Sequence, residues 1–385
     1  MVATRTRTIG MNLLFVCPEM GGIRNSGPSL CRAVLERARA ASDHRFRLFV
    51  TPAGAEYLFA RPEFAASVEA LGARCTVEEV ALDPRRKLRR FAYEQSRFHR
   101  ALRGVDLLHS FDYGMPYLSR CRNVVMVRDL NYLNFAATFS LPQRCIRRFT
   151  VPLSLRMADK VVTISNSAKK EIIERFGLAA ERVAVVPNSF CPMTRAAPDD
   201  EVRVAHERPY VLAVGTLKLH KNYERLLDAF AALAARELEL VIVGRDDSRL
   251  AALRERTQRL GLTERVRLLG FVDEDELARL YRRASVFVFP SLYEGFGMPL
   301  LEAMAHRLPV ACSDLEVFRE VAADAAAYFD PTDVADMARV IGGLLDDGAR
   351  RSTLVAAGNE RVGAFSWEAS ALRMMEVYDE LCAAG

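Results

Sequence analysis

The feature that most constrains this chain is an alternation running its whole length: short β-branched, apolar runs separated by longer stretches of helical period. Strands that are apolar throughout, instead of at every second residue, belong to parallel sheets covered by helices on both faces, so the expected fold class is α/β. In the first half the runs are MNLLFVC (11–17), RFRLFV (45–50), DLLHSF (106–111), NVVMV (123–127), KVVTIS (160–165) and RVAVVP (182–187). The pattern lapses at CPMTRAAPDDEVRVAHER (191–208), which has two prolines, mixed charge and no apolar period, and reads as a linker. It then restarts with YVLAVG (210–215), LELVIVG (238–244), VRLLGFV (266–272), SVFVFP (285–290) and LPVACS (308–313). At 385 residues the chain is too long for one ordinary core, and two doubly wound, Rossmann-like domains are expected, 1–190 and 209–365. Such sheets bind ligands outside the carboxyl ends of their strands, which places the expected active site in a cleft between the two.

Composition removes several classes. No apolar run approaches the roughly 18 residues of a membrane span, and LLFVC after Met11 is too short for a signal segment, so a cytoplasmic protein is expected. The eight cysteines lie at least 14 positions apart and the six histidines form no HExxH-type cluster, which argues against a redox pair or a structural metal. Net charge is +5, but residues 1–200 hold 31 Lys and Arg against 19 Asp and Glu, net +12, while the remainder, with 23 against 30, is net −7. The first half is the one suited to meet an anion.

The densest motif is SLYEGFGMPLLEAMAHRLPVACSD (291–314), directly after an apolar strand. Gly295 and Gly297 allow close backbone approach and Pro299 suits a helix start, so amides and the positive helix end face whatever fills the loop. Glu294 and Glu302, which is expected in the first helical turn, can each accept from paired hydroxyls, and this implies a sugar–diphosphate–sugar ligand. The plain alternative is a glycine turn with two solvated glutamates. Earlier, VGTLKLHKNYERLLDAF (214–230) ends a strand at Gly215 and begins a helix near Asn222. Only six of the 54 basic residues are lysines, yet Lys218 and Lys221 both fall in this loop. An ammonium there can neutralise a diphosphate, or be an ordinary solvated surface charge.

Together these segments resemble the donor domain of glycosyltransferase family 4, retaining enzymes of the GT-B fold. ADKVVTISNSAKKEI, RVAVVPNS, LGFVDEDELARLYRRASVFVFPS and FSWEASALRMMEVYDEL extend the likeness over about residues 105–385. The resemblance implies a nucleotide-sugar donor domain at 209–365, an acceptor-side domain at 1–190, and a terminal helix (366–385) packing back on the latter. It implies that Glu302 binds the ribose, Glu294 the donor sugar and Lys221 the diphosphate, with Glu294 and Lys221 as the catalytic pair. Amides of Gly295, Phe296 and Gly297 join them, the backbone near Val272 meets the base, and Gly21 and Gly22 close over the donor. Family members often carry an arginine where this chain has Thr216 or His220, which leaves the phosphate grip to Lys221 with Lys218 or His220. Where many relatives have a histidine, this chain has Arg128, which either binds an anionic sugar or acceptor or pairs with Asp129.

The expected activity is that of a metal-independent, retaining hexosyltransferase with no cofactor beyond its nucleotide-sugar substrate, acting on a saccharide or lipid-linked acceptor in cell-surface polysaccharide or glycolipid assembly. A nucleotide-sugar epimerase and a non-catalytic partner of a transferase are the alternatives. Asp273-Glu274-Asp275 mimics a metal-binding triplet, but it opens a helix, where Asp273 reads as an N-cap. The basic stretch 84–103, with Leu88, Phe91, Phe98 and Leu102 on one face, reads either as a helix on an anionic membrane or as ordinary packing. Nucleic acid is disfavoured, because aromatics are not interleaved as a stacking platform. Phe365, Trp367, Val377 and FTVPLSLRM (149–157) are expected to pack cores.

Overall fold

The computed structural model describes residues 6–17, 23–189, 208–233, 236–245 and 247–383. Gly21, Gly22 and all but the last residue of the expected linker lie outside the described residues. Seven strands form the first sheet: β1 (Thr8–Asn12), β2 (Arg45–Val50), β3 (Cys75–Glu79), β4 (Leu107–Ser110), β5 (Arg122–Met126), β6 (Lys160–Thr163) and β7 (Val183–Val185). Six form the second: β8 (Tyr210–Val214), β9 (Glu239–Val243), β10 (Val266–Gly270), β11 (Val286–Phe289), β12 (Val310–Ser313) and β13 (Ala326–Phe329). Every pairing is parallel, in the orders β3-β2-β1-β4-β5-β6-β7 and β10-β9-β8-β11-β12-β13. Strand order reverses between β1 and β4 and again between β8 and β11, the positions where loops part and a ligand site opens in sheets of this kind.

The burial pattern explains the sequence pattern. β8, β9 and β11 are buried at every residue, so neither face tolerates a polar alternation. Each fully buried valine or leucine contributes roughly 1.5–3 kcal/mol. Two strands, β3 and β13, are not apparent from the sequence pattern, and both are sheet edges. CTVEE is largely exposed and AAYF is half alanine, so neither carries the β-branched run that marks the central strands. β1 also lies earlier than MNLLFVC suggests. Its ladder ends at Asn12, whose Oδ1 accepts from the Leu14 amide at 3.2 Å, and Val16 N donates to Leu13 O at 3.0 Å, so Leu13–Cys17 stay buried while turning out of the sheet.

The chain divides into two units: Met1–Leu133 with Phe139–Ser189 and Ser366–Gly385, and Asn134–Thr138 with Phe190–Phe365. The terminal helix Trp367–Ala383 thus belongs to the first. Tyr378 OH lies 2.6 Å from His109 Nδ1 on β4, Lys160 Nζ donates to Glu380 at 2.6 and 2.7 Å, and Ser370 Oγ donates to Pro187 O at 2.7 Å. Trp367 and Val377 are buried, as expected, and Phe365 is half-buried.

Of two surface expectations, the first takes its packing alternative and the second changes. In 84–103, Phe98 and Leu102 pack with Leu14, Phe49, Val105 and Leu108. That is ordinary packing, and it leaves only Leu88 of the four apolar residues strongly exposed, at 63%. The segment 149–157 does the opposite. Val151 and Leu155 enter the core, but Phe149, Leu153 and Met157 face outward from the helix Leu141–Met157. The high apolar content of this run suggests core throughout; a helix with such content on both sides buries only one. Among the described residues no helix is long and apolar enough to cross a membrane.

Candidate active site

The site is built on the two loops that leave β8 and β11, neighbours across the reversal in the second sheet. After β8 the chain passes Gly215, whose carbonyl accepts from Tyr223 OH at 3.1 Å. This approach depends on Gly244 at the end of β9, because a Cβ there would lie 1.7 Å from Gly215 O. Leu217 is buried and pins the loop, Thr216 is exposed and Lys218 half-buried. One turn, Leu219–Lys221, comes next, and Asn222 takes a left-handed conformation (φ 61°) at the start of the helix Tyr223–Ala231. Asparagine tolerates that region better than most residues, and its amide is used fully. Nδ2 donates to Pro290 O at 3.0 Å and Pro331 O at 2.8 Å, while Oδ1 accepts from Arg225 at 3.0 Å. With Leu292 N donating to His220 O at 2.7 Å, the two loops are tied together.

That tie delivers the charges. Lys221 Nζ donates to Glu294 Oε1 at 2.5 Å and lies 4.8 Å from the centre of the Phe289 ring. Ser291 Oγ donates to the same carboxylate oxygen at 2.8 Å. Three residues on from Glu294, Gly297 (φ 104°) caps the helix Met298–Ala305, with Pro299 in the first turn, where its missing N–H costs nothing. A Cβ on Gly297 would come within 2.9 Å of the Phe318 ring. Phe296 is buried edge-on against Phe365, with ring centres 5.6 Å apart. The helix start, positive by its dipole, therefore sits within three residues of the Lys221–Glu294 pair.

Glu302 occupies the second turn of that helix, not the first, since the helix starts at Met298. Its Oε2 accepts from Tyr281 OH at 2.9 Å. The Tyr281 ring stacks on His306, with centres 5.3 Å apart, and His306 Nδ1 lies 2.8 Å from the Glu302 carbonyl. Burial raises the Glu302 carboxyl above its usual range, and the Tyr281 hydrogen bond opposes this; Glu274 raises it further, while the Lys221 ammonium lowers it. Lys221, Glu294 and Glu302 are thus one electrostatic group. His220 does not add charge to it. Burial, followed by the Lys221 and Lys218 charges, pushes its imidazole down to about 3, so it is neutral near pH 7 and the cations of this loop are Lys218 and Lys221.

Val272 follows β10, two strands from β8 along the same carboxyl-end edge, or roughly 10 Å. Arg128 lies in the other unit, buried beyond the end of β5. Its Nη1 donates to Phe111 O at 2.8 Å, so a backbone carbonyl, not Asp129, is its hydrogen-bonding partner. Among the described residues its Nε and Nη2 have none. Burial lowers the guanidinium pKa, with Tyr113, Asp112 and Asp129 acting against it. Asp273 is an N-cap, accepting from Glu276 N at 2.8 Å. Among the described residues no group of three or more His, Cys, Asp or Glu is placed to hold a metal ion. Sequence reasoning misses Tyr281 and Ser291. A tyrosine inside a helical apolar period reads as core packing, and only the fold reveals that its hydroxyl meets Glu302.

Comparison with known proteins bears on the family and the fold. A sequence profile described as Glycosyltransferase Family 4 matches residues 32–193, and one described as Glycosyl transferases group 1 matches 196–361. Among curated proteins the chain is similar to O-antigen chain mannosyltransferase B of Escherichia coli, 33% identical over 237 residues, covering 58% of this chain and 61% of that one. The chain spans between half and about six-tenths of the length of the curated relatives it matches first. Among solved structures, sucrose-phosphate synthase from Thermosynechococcus elongatus superposes with a TM-score of 0.72 at 24% identity over 98% of this chain and 100% of that one. Anabaena Alr3699/HepE in complex with UDP and glucose also gives 0.72, at 18% identity over 97% and 100%. One profile over each sheet, and a fold shared along nearly the whole length, make the chain a member of glycosyltransferase family 4, with the GT-B fold.

Proposed function

We propose that the protein is a retaining, metal-independent glycosyltransferase that moves a hexosyl group, mannose in our reading, from a nucleoside diphosphate sugar to a hydroxyl of a saccharide or lipid-linked acceptor. The observation that carries the proposal is the gathering of Lys221, Glu294 and Glu302 at the carboxyl ends of β8 and β11, beside the helix start at Gly297. In this reading Glu294 holds Lys221 in position until the donor arrives, when the ammonium turns to the diphosphate. The carboxylate it leaves then accepts from the sugar hydroxyls. Glu302 accepts from the ribose, oriented by Tyr281; amides of Gly295, Phe296 and Gly297 meet phosphate or sugar, and Thr216 and Lys218 complete the phosphate loop. The backbone at Val272 meets the base.

The bond from the anomeric carbon to the phosphate oxygen breaks and a bond to the acceptor oxygen forms on the same face. The acceptor's proton passes to the departing phosphate oxygen, so positioning and charge stabilisation suffice without a protein nucleophile. Arg128, buried with two guanidinium nitrogens, Nε and Nη2, unmet among the described residues, is suited to an anionic group on the acceptor or sugar. A cytoplasmic setting and a role in O-antigen-like glycan assembly are part of the proposal. The names of the relatives support the sugar and the setting.

The test is incubation with GDP-mannose, UDP-glucose and related donors, with and without a lipid extract, following nucleotide release and the anomeric configuration by NMR. Transfer that needs acceptor, keeps the α configuration and survives chelator is expected. An isomerised donor without acceptor would establish the epimerase reading, and activity restored only by divalent ions would overturn metal independence.

A further inference from the structure

In the helix Leu141–Met157 an apolar side chain recurs at every fourth position: Leu141, Cys145, Phe149, Leu153 and Met157. All five are exposed, Leu141 at 70%, Phe149 at 75%, Leu153 at 42% and Met157 at 46%. Steps of four residues advance about 40° around a helix, so the five form a band that wraps slowly along the outer side, opposite the buried Val151, Ser154 and Leu155. Isolated exposed apolar residues are ordinary, but a contiguous band of them on one helix is not.

The charge on this helix is one-sided. LPQRCIRRFTVPLSLRM contains Arg144, Arg147, Arg148 and Arg156 and no acidic residue. Arg147 is folded inward, its guanidinium 4.6 Å from the Tyr113 ring centre and 5.0 Å from that of Phe139. Arg144, Arg148 and Arg156 are exposed and border the band, and among the described residues none of the three has a carboxylate within ion-pair distance. A helix held by its inner face, with an apolar outer band and uncompensated guanidinium groups beside it, has the composition of a segment that lies in a lipid–water interface. A second protein copy would meet the same cations on its own helix and repel them, whereas an anionic bilayer matches both the apolar and the charged components.

We propose that the helix Leu141–Met157 is the surface by which this protein docks on an anionic lipid bilayer, with Phe149 and Leu153 entering the acyl boundary and Arg144, Arg148 and Arg156 meeting lipid phosphates. This assignment replaces the basic stretch 84–103 as the membrane-facing element, because Phe98 and Leu102 of that stretch are core residues. It is independent of the transfer chemistry, since docking requires no donor.

The experiment is flotation of the full chain with vesicles of phosphatidylcholine alone and with about 30% phosphatidylglycerol, at low and high salt. Binding to the anionic vesicles, weakened by salt and negligible on the neutral ones, is expected. The double variant R144E/R148E should lower the partition coefficient by about thirty-fold or more, at roughly five-fold for each cation removed from the surface, and F149S/L153S by about ten-fold. L88S should leave it unchanged. All variants alter exposed side chains, and unchanged thermal unfolding verifies that they fold. Equal binding by wild type and both double variants would overturn the proposal. So would an absence of vesicle binding, or dimerisation in light scattering that F149S/L153S abolishes, which would make the band a self-association surface.

Discussion

The carboxyl ends of the two parallel sheets are treated in opposite ways. In the second sheet most polar groups beyond β8 and β11 are matched to one another, Lys221 and Ser291 to Glu294, Tyr281 to Glu302, and Asn222 to two carbonyls, with His220 Nδ1 the exception, without a partner among the described residues. In the first sheet, Ser110 at the end of β4, Arg128, Asn131 and Tyr132 beyond β5, and Thr163 at the end of β6 each bury a polar atom with no partner among the described residues. Buried polar groups are nearly always satisfied in folded proteins. The comparison therefore separates a charge cluster largely satisfied within the protein from a set of buried polar groups that are not, and teaches that the carboxyl end of the first sheet is stabilised less by its own contacts.

The largest effect that would break this comparison is on turnover. Lys221→Ala should reduce kcat by about 10²–10³-fold, the scale of losing one group aimed at developing charge, and a near-normal rate in a donor-turnover assay would remove the lysine from the site. Next, Arg128→Met should raise the free energy of unfolding by about 1–2 kcal/mol in urea titration, since an apolar isostere relieves an under-paired buried cation, while lowering activity. Destabilisation instead would mean that the guanidinium is structural.

A third prediction uses acid. His109 is pushed down to about 3 by burial and the Arg128 charge, and His220 to about 3 by burial and the neighbouring lysines. Both are neutral when folded and take up a proton when unfolded below about 6.5. Their contribution is complete above that pH and is lost as pH falls from about 6.5 toward 3, by up to about 1.4 kcal/mol per unit for each. Urea midpoints measured at about pH 7.5 and 5.5 should diverge accordingly, and His109→Gln should remove part of the difference; a flat profile would contradict the burial argument. The smallest expected effect is Glu302→Ala, which should weaken nucleotide and donor alike by about ten-fold in calorimetry, as for a lost charged hydrogen bond. A loss confined to the sugar-bearing donor would shift Glu302 away from the ribose.

How much is legible in the sequence varies with the physical origin of each feature. Lys221, Glu294, Gly297 and the N-cap Asp273 can be read locally, because glycine freedom, helix starts and charge in a short loop are properties of a few consecutive residues. The edge strands β3 and β13 cannot, since CTVEE is largely exposed and AAYF is half alanine, so neither shows the apolar run that makes the other two edges, β7 and β10, legible. The extent of the helix after Gly297 is also set beyond the motif, and it moves Glu302 one turn further in.

The alternation of apolar runs determined the α/β class and the two-sheet plan by itself, because a strand buried on both faces must be apolar at nearly every position, wherever it lies in the chain. Tertiary structure alone decided which side of Leu141–Met157 is buried, that Tyr281 supports Glu302, that His220 is neutral and that Arg128 is under-paired. Each of these depends on groups distant in sequence arriving at one place, and burial and hydrogen bonding are set by those neighbours, not by the residue itself.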